Sequence, residues 1–374
     1  MKRKIKLKDS AKKMLYIIGG IIVVLIVIFM FYLNKCNQLK NLGYSSSAVH
    51  NIMKSFSSSK VMKVGKNKML NAAFESSYYN EKYFNRYTKI EYQKQKNIVR
   101  NVNLLIKKGY TNNEISLILK RGDDDDVYQF AKRDRVKYLE KFLSVSYAKL
   151  SNYDRYLAYQ EKENNDEETT VLYVNMDFDK ENYVDYKTID KFDSYVLVNK
   201  HRQLSAKYAP TNLVSIKKEY VKGSEAIKIE KTVANAFYKM AEDASKDNLS
   251  LMVSSGYRSF KDQEETNQIY LNLYGQKYVD NYVAKPGFSE HQTAMSLDIA
   301  SKSVNVFVNS DEYTWMMDNG YKYGFILRYP KSKEDITGYK CEAWHFRYVG
   351  KKIAKYIKEH NITYDEYYVM FLDK

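Results

Sequence analysis

From Met14 to Leu33 the chain runs for twenty residues without one charged side chain, and no other feature restricts its fold so strongly. As a helix rising ~1.5 Å per residue, such a run reaches ~30 Å, the hydrocarbon thickness of a bilayer. A transmembrane helix over 14–33 is therefore expected. A soluble core helix of this length would show a polar stripe, and none is present. Upstream, Lys2, Arg3, Lys4, Lys6, Lys8, Lys12 and Lys13 face only Asp9. That excess of positive charge predicts a cytoplasmic leader over 1–13 and an extracellular remainder. A cleaved signal peptide would need a small-x-small site after the apolar run. A lipoprotein signal ending at Cys36 would need small residues where Leu33-Asn34-Lys35 stand.

Of the chain's formal +16, the part beyond the leader keeps +10. The basic residues are spread evenly, and an external location argues against nucleic acid, so anionic wall polymer is the expected polyanionic partner. Hydrophobic residues make up 44% of the 374, which excludes a wholly disordered chain. Two cysteines, Cys36 and Cys341, exclude a disulfide scaffold and a Cys-rich zinc finger, and both are read as free thiols.

The texture changes along the chain. No proline precedes Pro210, and the stretch 34–160 reads as helical, with two related segments near 42–62 and 108–128. Leu42-Gly43-Tyr44-Ser45 leads to Val49, Ile52 and Met53, and Lys108-Gly109-Tyr110-Thr111 leads to Ile115, Ile118 and Leu119, at a constant offset of 66. Ser45 and Thr111 are the expected caps, with Thr111 and Glu114 forming a capping box. Two helical hairpins acting as a spacer or interaction module are expected. The run Asp123 to Asp126 lacks the alternation, glycine and final glutamate of an EF-hand, and reads as a solvated loop or a helix start. Residues 161–170, dense in Glu, Asn and Asp, have little to bury and read as a linker.

From 171 to 374 short apolar runs alternate with helical spacings. Strands are expected at Val196–Val198, Leu249–Val253, Phe325–Tyr329 and Trp344–Val349. A helix is expected within 227–244, on Val233, Phe237, Met240 and Ala244, and a last helix behind the Thr363/Glu366 capping box. The fold class is α+β, a small, mostly antiparallel sheet with packed helices.

Two of the five histidines stand in company that suggests chemistry. His291 is followed seven residues later by Asp298, and Glu342 precedes His345 by three. A catalytic zinc site takes three His, Asp or Glu ligands and leaves one position open, with a separate carboxylate to accept a proton. His291, Asp298, His345 and Glu342 supply that set, although spacing alone also fits structural histidines. The Ser254-Ser255-Gly256-Tyr257-Arg258-Ser259 turn, followed by Gln263, puts an arginine fork at a strand end, suited to a carboxylate or to the protein surface.

Taken together, Ser-Gly-Tyr-Arg-Ser with its Gln, Ser-Glu-His-Gln-Thr with its Asp, and Glu-x-Trp-His-Phe-Arg-Tyr-Val-Gly resemble the VanY-type D-alanyl-D-alanine carboxypeptidases. These are zinc peptidases related to lysostaphin and the hedgehog domain. Gly324-Phe325-Ile326-Leu327-Arg328-Tyr329-Pro330 and Thr337-Gly338-Tyr339 agree with the resemblance, which spans roughly 190–350 and leaves the helical repeats uncovered. The resemblance implies zinc as cofactor, held by His291, Asp298 and His345, with Glu342 as base and Arg258 near the scissile group. Gln263 and Ser289 would contact the terminal D-alanine of a peptidoglycan stem peptide. Either D,D-activity on pentapeptides or L,D-activity on tetrapeptides would follow. Ala294 and Ser296 depart from the family's usual Gly and Ala, which leaves a catalytically inactive, tethered wall-binding module as the alternative.

Overall fold

The apolar run lies inside one uninterrupted helix, Asp9–Asn41, in which Leu39 is the single buried residue. The computed structural model describes residues 9–373, so Met1 to Lys8 of the basic leader, and Lys374, lie outside the described residues. The helix is long and apolar enough to cross a membrane, and the side chains of its apolar run are exposed. It outruns the expected limit at Leu33 because nothing in Asn34 to Asn41 breaks it. It stops where Gly43 takes φ +89°, with Gly43 N donating to Lys40 O and Tyr44 N to Leu39 O.

The chain divides into two compact units, one ending at Asp154 and the other starting at Arg155. In the first unit the internal similarity extends well beyond the two matched segments. Helices Ser46–Lys54, Ser58–Val64 and Lys68–Glu75 and the turn Glu81–Tyr83 are followed in the same order by Asn112–Arg121, Asp124–Lys132, Leu139–Leu143 and Leu150–Asn152. Both copies open on the same helix stop, since Gly109 (φ +87°) donates to Ile106 O and Tyr110 to Leu105 O. Ser45 accepts from Ala48 N, and Thr111 forms the capping box with Glu114. Ile52, Ile115, Ile118 and Leu119 are buried, while Met53 is half-buried. Asp123 accepts from Asp125 N and Asp126 N, so the acidic run is a helix start.

Residues 161–170 are not a structureless linker. Asp166 caps the helix Glu167–Asn175, which buries Thr170, Val171 and Val174, and a preceding helix reaches Glu163. One buried stripe is enough to fix so short a helix, whatever the polarity of its other faces.

The second unit is built on a four-stranded antiparallel sheet in the order Leu251–Ser255, Ser296–Ser301, His345–Tyr348, Phe325–Leu327. Two smaller pairs stand apart, one parallel (Lys187–Ile189 with Arg202–Leu204) and one antiparallel (Leu213–Ser215 with Lys228–Glu230). Strand alternation sends Val253, Leu297, Ile299 and Phe346 into a core closed by Phe237 and Met240 of helix Lys231–Lys246 and by Met316. That helix starts later than the apolar spacing suggests, because Glu230 caps it and Ile227 to Ile229 belong to the preceding strand region. Val196–Val198 is buried but forms no strand. Arg347 donates to the carbonyl of Val196 and Arg328 to that of Val198, taking the place of a ladder. The Thr363 capping box opens the helix Tyr364–Tyr367, as its spacing suggests.

Candidate metal centre and active site

Sheet register brings the first two side chains together. Asp298 is the pairing partner of His345 on the neighbouring strand, so both project from the face opposite the core. His345 Nδ1 lies 3.1 Å from Asp298 Oδ1. His291 arrives from the short Glu290–Thr293 turn, capped by the Ser289 hydroxyl, and its Nε2 lies 3.5 Å from Asp298 Oδ2. One donor atom from each of His291, Asp298 and His345 falls within 4.8 Å of the others.

The surroundings fix how each imidazole presents itself. His291 Nδ1 is 2.7 Å from Gly256 O, and a carbonyl only accepts, so Nδ1 carries the proton and Nε2 offers its lone pair to the cluster. Burial lowers the His291 pKa to about 4, which keeps the ring neutral. His345 is oriented by Glu290, whose Oε2 lies 3.4 Å from Nε2, leaving Nδ1 facing Asp298. Burial opposes a charged ring there, yet hydrogen bonds to Asp298 and Glu290 outweigh it and raise the His345 pKa to about 10. A site that draws a proton so strongly between carboxylates is one for which a divalent cation competes. Two nitrogens on buried rings and one carboxylate oxygen of the partly exposed Asp298 match the donor set that a catalytic zinc ion with an open position would take.

Glu290 was singled out by no sequence argument, although it adjoins His291 in the quoted motif. It is buried and accepts from Arg328 Nε at 2.8 Å, Arg347 Nη1 at 3.2 Å and the Ser296 hydroxyl at 2.9 Å. Burial works against its charge, but the two arginines hold its carboxyl well below the usual range. Arg328 also donates to Asp365, so two cations and two carboxylates balance beneath the site.

Glu342 lies in the same cleft, 3.8 Å from His345 Nδ1. Burial, with Asp298 and Glu290 adding to it, pushes its pKa up to about 7. Arg258 lines the cleft from the turn after the Leu251–Ser255 strand and donates through Nη1 to Gln263 Oε1 at 3.0 Å. Gln263 is buried and donates in turn to Ala284 O at 2.8 Å. Gly256 is required in that turn, because a Cβ there would sit 2.5 Å from Lys228 O. All seven residues named from the sequence, Ser289 included, line one cleft of about 200 Å³.

A family profile described as D-alanyl-D-alanine carboxypeptidase, VanY, matches residues 226–351. The bifunctional D-Ala-D-Ala dipeptidase and D-Ala-D-Ala carboxypeptidase VanXYC of Enterococcus gallinarum is 33% identical over 183 residues, 46% of this chain and 92% of that protein. The chain belongs to the VanY family. YodJ of Bacillus subtilis (strain 168) is 42% identical over 179 residues, 46% of this chain and 66% of its own length. The chain spans 60 to 66% of the length of three of its curated relatives. A solved structure of the LdcB LD-carboxypeptidase is 40% identical, with a TM-score of 0.45, over 49% of this chain and 89% of that one. In VanY-family terms the matched stretch contains the cleft and leaves out the helical unit.

Proposed function

We propose that this VanY-family chain is a membrane-anchored, extracellular, zinc-dependent D-alanyl-D-alanine carboxypeptidase that removes the terminal D-alanine from peptidoglycan stem peptides. The observation that carries this reading is the convergence of His291, Asp298 and His345 with Glu342 and Arg258 in one cleft. His291 through Nε2, Asp298 and His345 through Nδ1 would hold the metal. Zinc bound there supplies Lewis acidity, which brings the pKa of a water to ~7 and polarises a carbonyl.

The residues of the chain divide the remaining work. Glu342 takes a proton from the attacking water and passes it to the departing amine of D-alanine. The low-dielectric wall around Glu342 keeps that carboxylate basic enough to accept the proton. Arg258, steadied by Gln263, presents its fork to the negative charge of the substrate, and Ser289 lines the end where the terminal residue would sit. Glu290 does not touch substrate in this scheme. It positions His345 by holding its Nε2 proton.

The Asp9–Asn41 helix supports an anchor with the basic leader inside and the peptidase outside, near wall precursors. The spacer between them would be about 140 residues long. The deciding experiment incubates the full-length chain in detergent with muropeptide pentapeptides and tetrapeptides, with zinc or with chelator, and reads products by mass spectrometry. Chelator-sensitive loss of one D-alanine from the pentapeptide is the expected result. Loss from the tetrapeptide alone would move the assignment to L,D-activity. Bound zinc with no release from either would leave a tethered binding module.

A further inference from the structure

Four tyrosines, Tyr270, Tyr274, Tyr278 and Tyr282, recur at a spacing of four across the break at Gly275 between helices Phe260–Tyr274 and Gln276–Tyr282. Their rings form a continuous stack. Centroids lie 4.6 Å apart for Tyr274 and Tyr278, and 4.9 Å for Tyr278 and Tyr282, while Tyr270 and Tyr278 are nearly parallel at 6°. None of the four is among the buried core residues described. Tyr274 is 58% exposed, and its neighbour Leu273 66%. An exposed apolar strip of this kind on a folded unit marks a place where something docks.

Continuity with the cleft identifies the occupant. Tyr270, Tyr278 and Tyr282 line the same cavity as Arg258 and Glu342, whereas Tyr274 extends the stack beyond it. A ligand whose end is processed at Glu342 therefore runs out along the exposed side of the tyrosine ladder. In a stem peptide that end is a short peptide, and the other end is joined to an amino-sugar strand. Each stem residue extends ~3.3–3.6 Å, so the sugar begins some four or five residues, roughly 15 Å, from the terminal carboxylate.

The stacked rings cover part of one another, so the aromatic surface left to the axial C–H bonds of a pyranose is the exposed part of Tyr274 and Tyr282, and tyrosine adds a hydroxyl at its edge. Thr266, one turn before Tyr270 on the same side of the helix, also lines the cavity and places a hydroxyl beside the ladder, suited to a sugar hydroxyl or acetamido group.

We infer that the Tyr270–Tyr282 ladder is a saccharide platform that holds the amino-sugar strand carrying the stem peptide while its end is cleaved. The inference deepens the carboxypeptidase reading and rests on it for the choice of ligand. Two measurements on the full-length chain in detergent test it. The first compares kcat/KM for a disaccharide-linked pentapeptide with that for the free pentapeptide. The wild type favours the linked substrate about three- to tenfold, the value of one aromatic stacking contact, and Tyr274→Ala brings the ratio toward one through KM. Tyr274→Phe keeps the preference. The second measures binding of glycan strands stripped of peptide by amidase, and needs no turnover. Binding is expected in the wild type and in Tyr274→Phe, and weakened in Tyr274→Ala. Equal kcat/KM for the two substrates together with no glycan binding overturns the platform. So does glycan binding that Tyr274→Ala leaves untouched, or a ladder that serves only to join two copies of the chain. Absence of turnover on both substrates would instead sink the carboxypeptidase reading, and the glycan measurement would still decide the platform.

Discussion

The Ser296 hydroxyl donates to the buried carboxylate of Glu290 across 2.9 Å. Glu290 is the group that holds the Nε2 side of His345, so this hydroxyl belongs to the support of the candidate metal centre. Ser296→Ala leaves Glu290 its two arginines but removes one charge-assisted hydrogen bond. A loss of ~1–2 kcal/mol is expected, because the remaining partners limit the damage. The shift of the urea midpoint of the second unit, followed by tryptophan fluorescence, checks it. No shift would mean that the hydroxyl adds nothing to the two guanidinium contacts.

Glu342→Gln keeps the shape of the side chain and removes its basicity. The proposed ligands do not include Glu342, so zinc content measured by elemental analysis should equal that of the wild type. Release of D-alanine should fall by ~10²–10⁴-fold in kcat, the usual contribution of a positioned general base. Chelator treatment of the wild type should abolish release and readdition of zinc should restore it. Loss of zinc in Glu342→Gln would instead make Glu342 a ligand.

Gly256 joins two constraints at one atom group. Its carbonyl accepts from His291 Nδ1, and its Cα lies so close to Lys228 and Ile227 that a Cβ would meet them at 2.5 and 2.7 Å. Gly256→Ala must shift the turn and with it the carbonyl that orients His291. A 10–100-fold loss of zinc affinity is expected, the usual cost of disturbing an outer-sphere partner. Competition with a chromophoric chelator measures it. Unaltered affinity would show that His291 is oriented without this carbonyl.

That the residues of the candidate centre would lie together was legible in the sequence because they are rare side chains on short, connected motifs. The charge-free run and the capping boxes at Thr111 and Thr363 were legible for a similar reason, since each is encoded within a few adjacent residues. What escaped was set by distant pairing. The partnership of Asp298 with His345 depends on strand register, and Glu290 acquires its role from Arg328 and Arg347, far along the chain. Val196–Val198 has a strand's pattern, but its carbonyls are taken by arginines, which no local pattern reveals. The departure at Ala294 was visible, and its physical reason is a backbone angle. Ala294 ends the His291 turn at φ +57° with its side chain wholly buried, a conformation that costs a non-glycine residue ~1–2 kcal/mol. The turn nevertheless keeps its Ala294 N to His291 O hydrogen bond at 3.2 Å, so it closes around the buried methyl group with His291 still facing Asp298.

Away from the cleft, Asp177 gathers Arg155 and Lys180 at 2.9 Å each, and Arg202 at 3.5 Å. Burial alone would raise its pKa, but the hydrogen bond from Lys180 and the charges of Arg202 and Arg155 outweigh it and hold the carboxyl below its usual value. A carboxylate with a folded pKa below its unfolded one stabilises the fold fully above the unfolded value near ~3.9, and that stabilisation is lost as pH falls through the folded value. Asp177→Asn is the informative variant because asparagine also tolerates the φ of +68° at this position. The variant should be less stable than the wild type at pH 7, and the gap between them should close as the pH drops below ~4. Urea midpoints at several pH values from 7 to 3 measure the gap. A gap that stays constant with pH would mean that the three cations do not favour the charged form, and that Asp177 acts through shape alone.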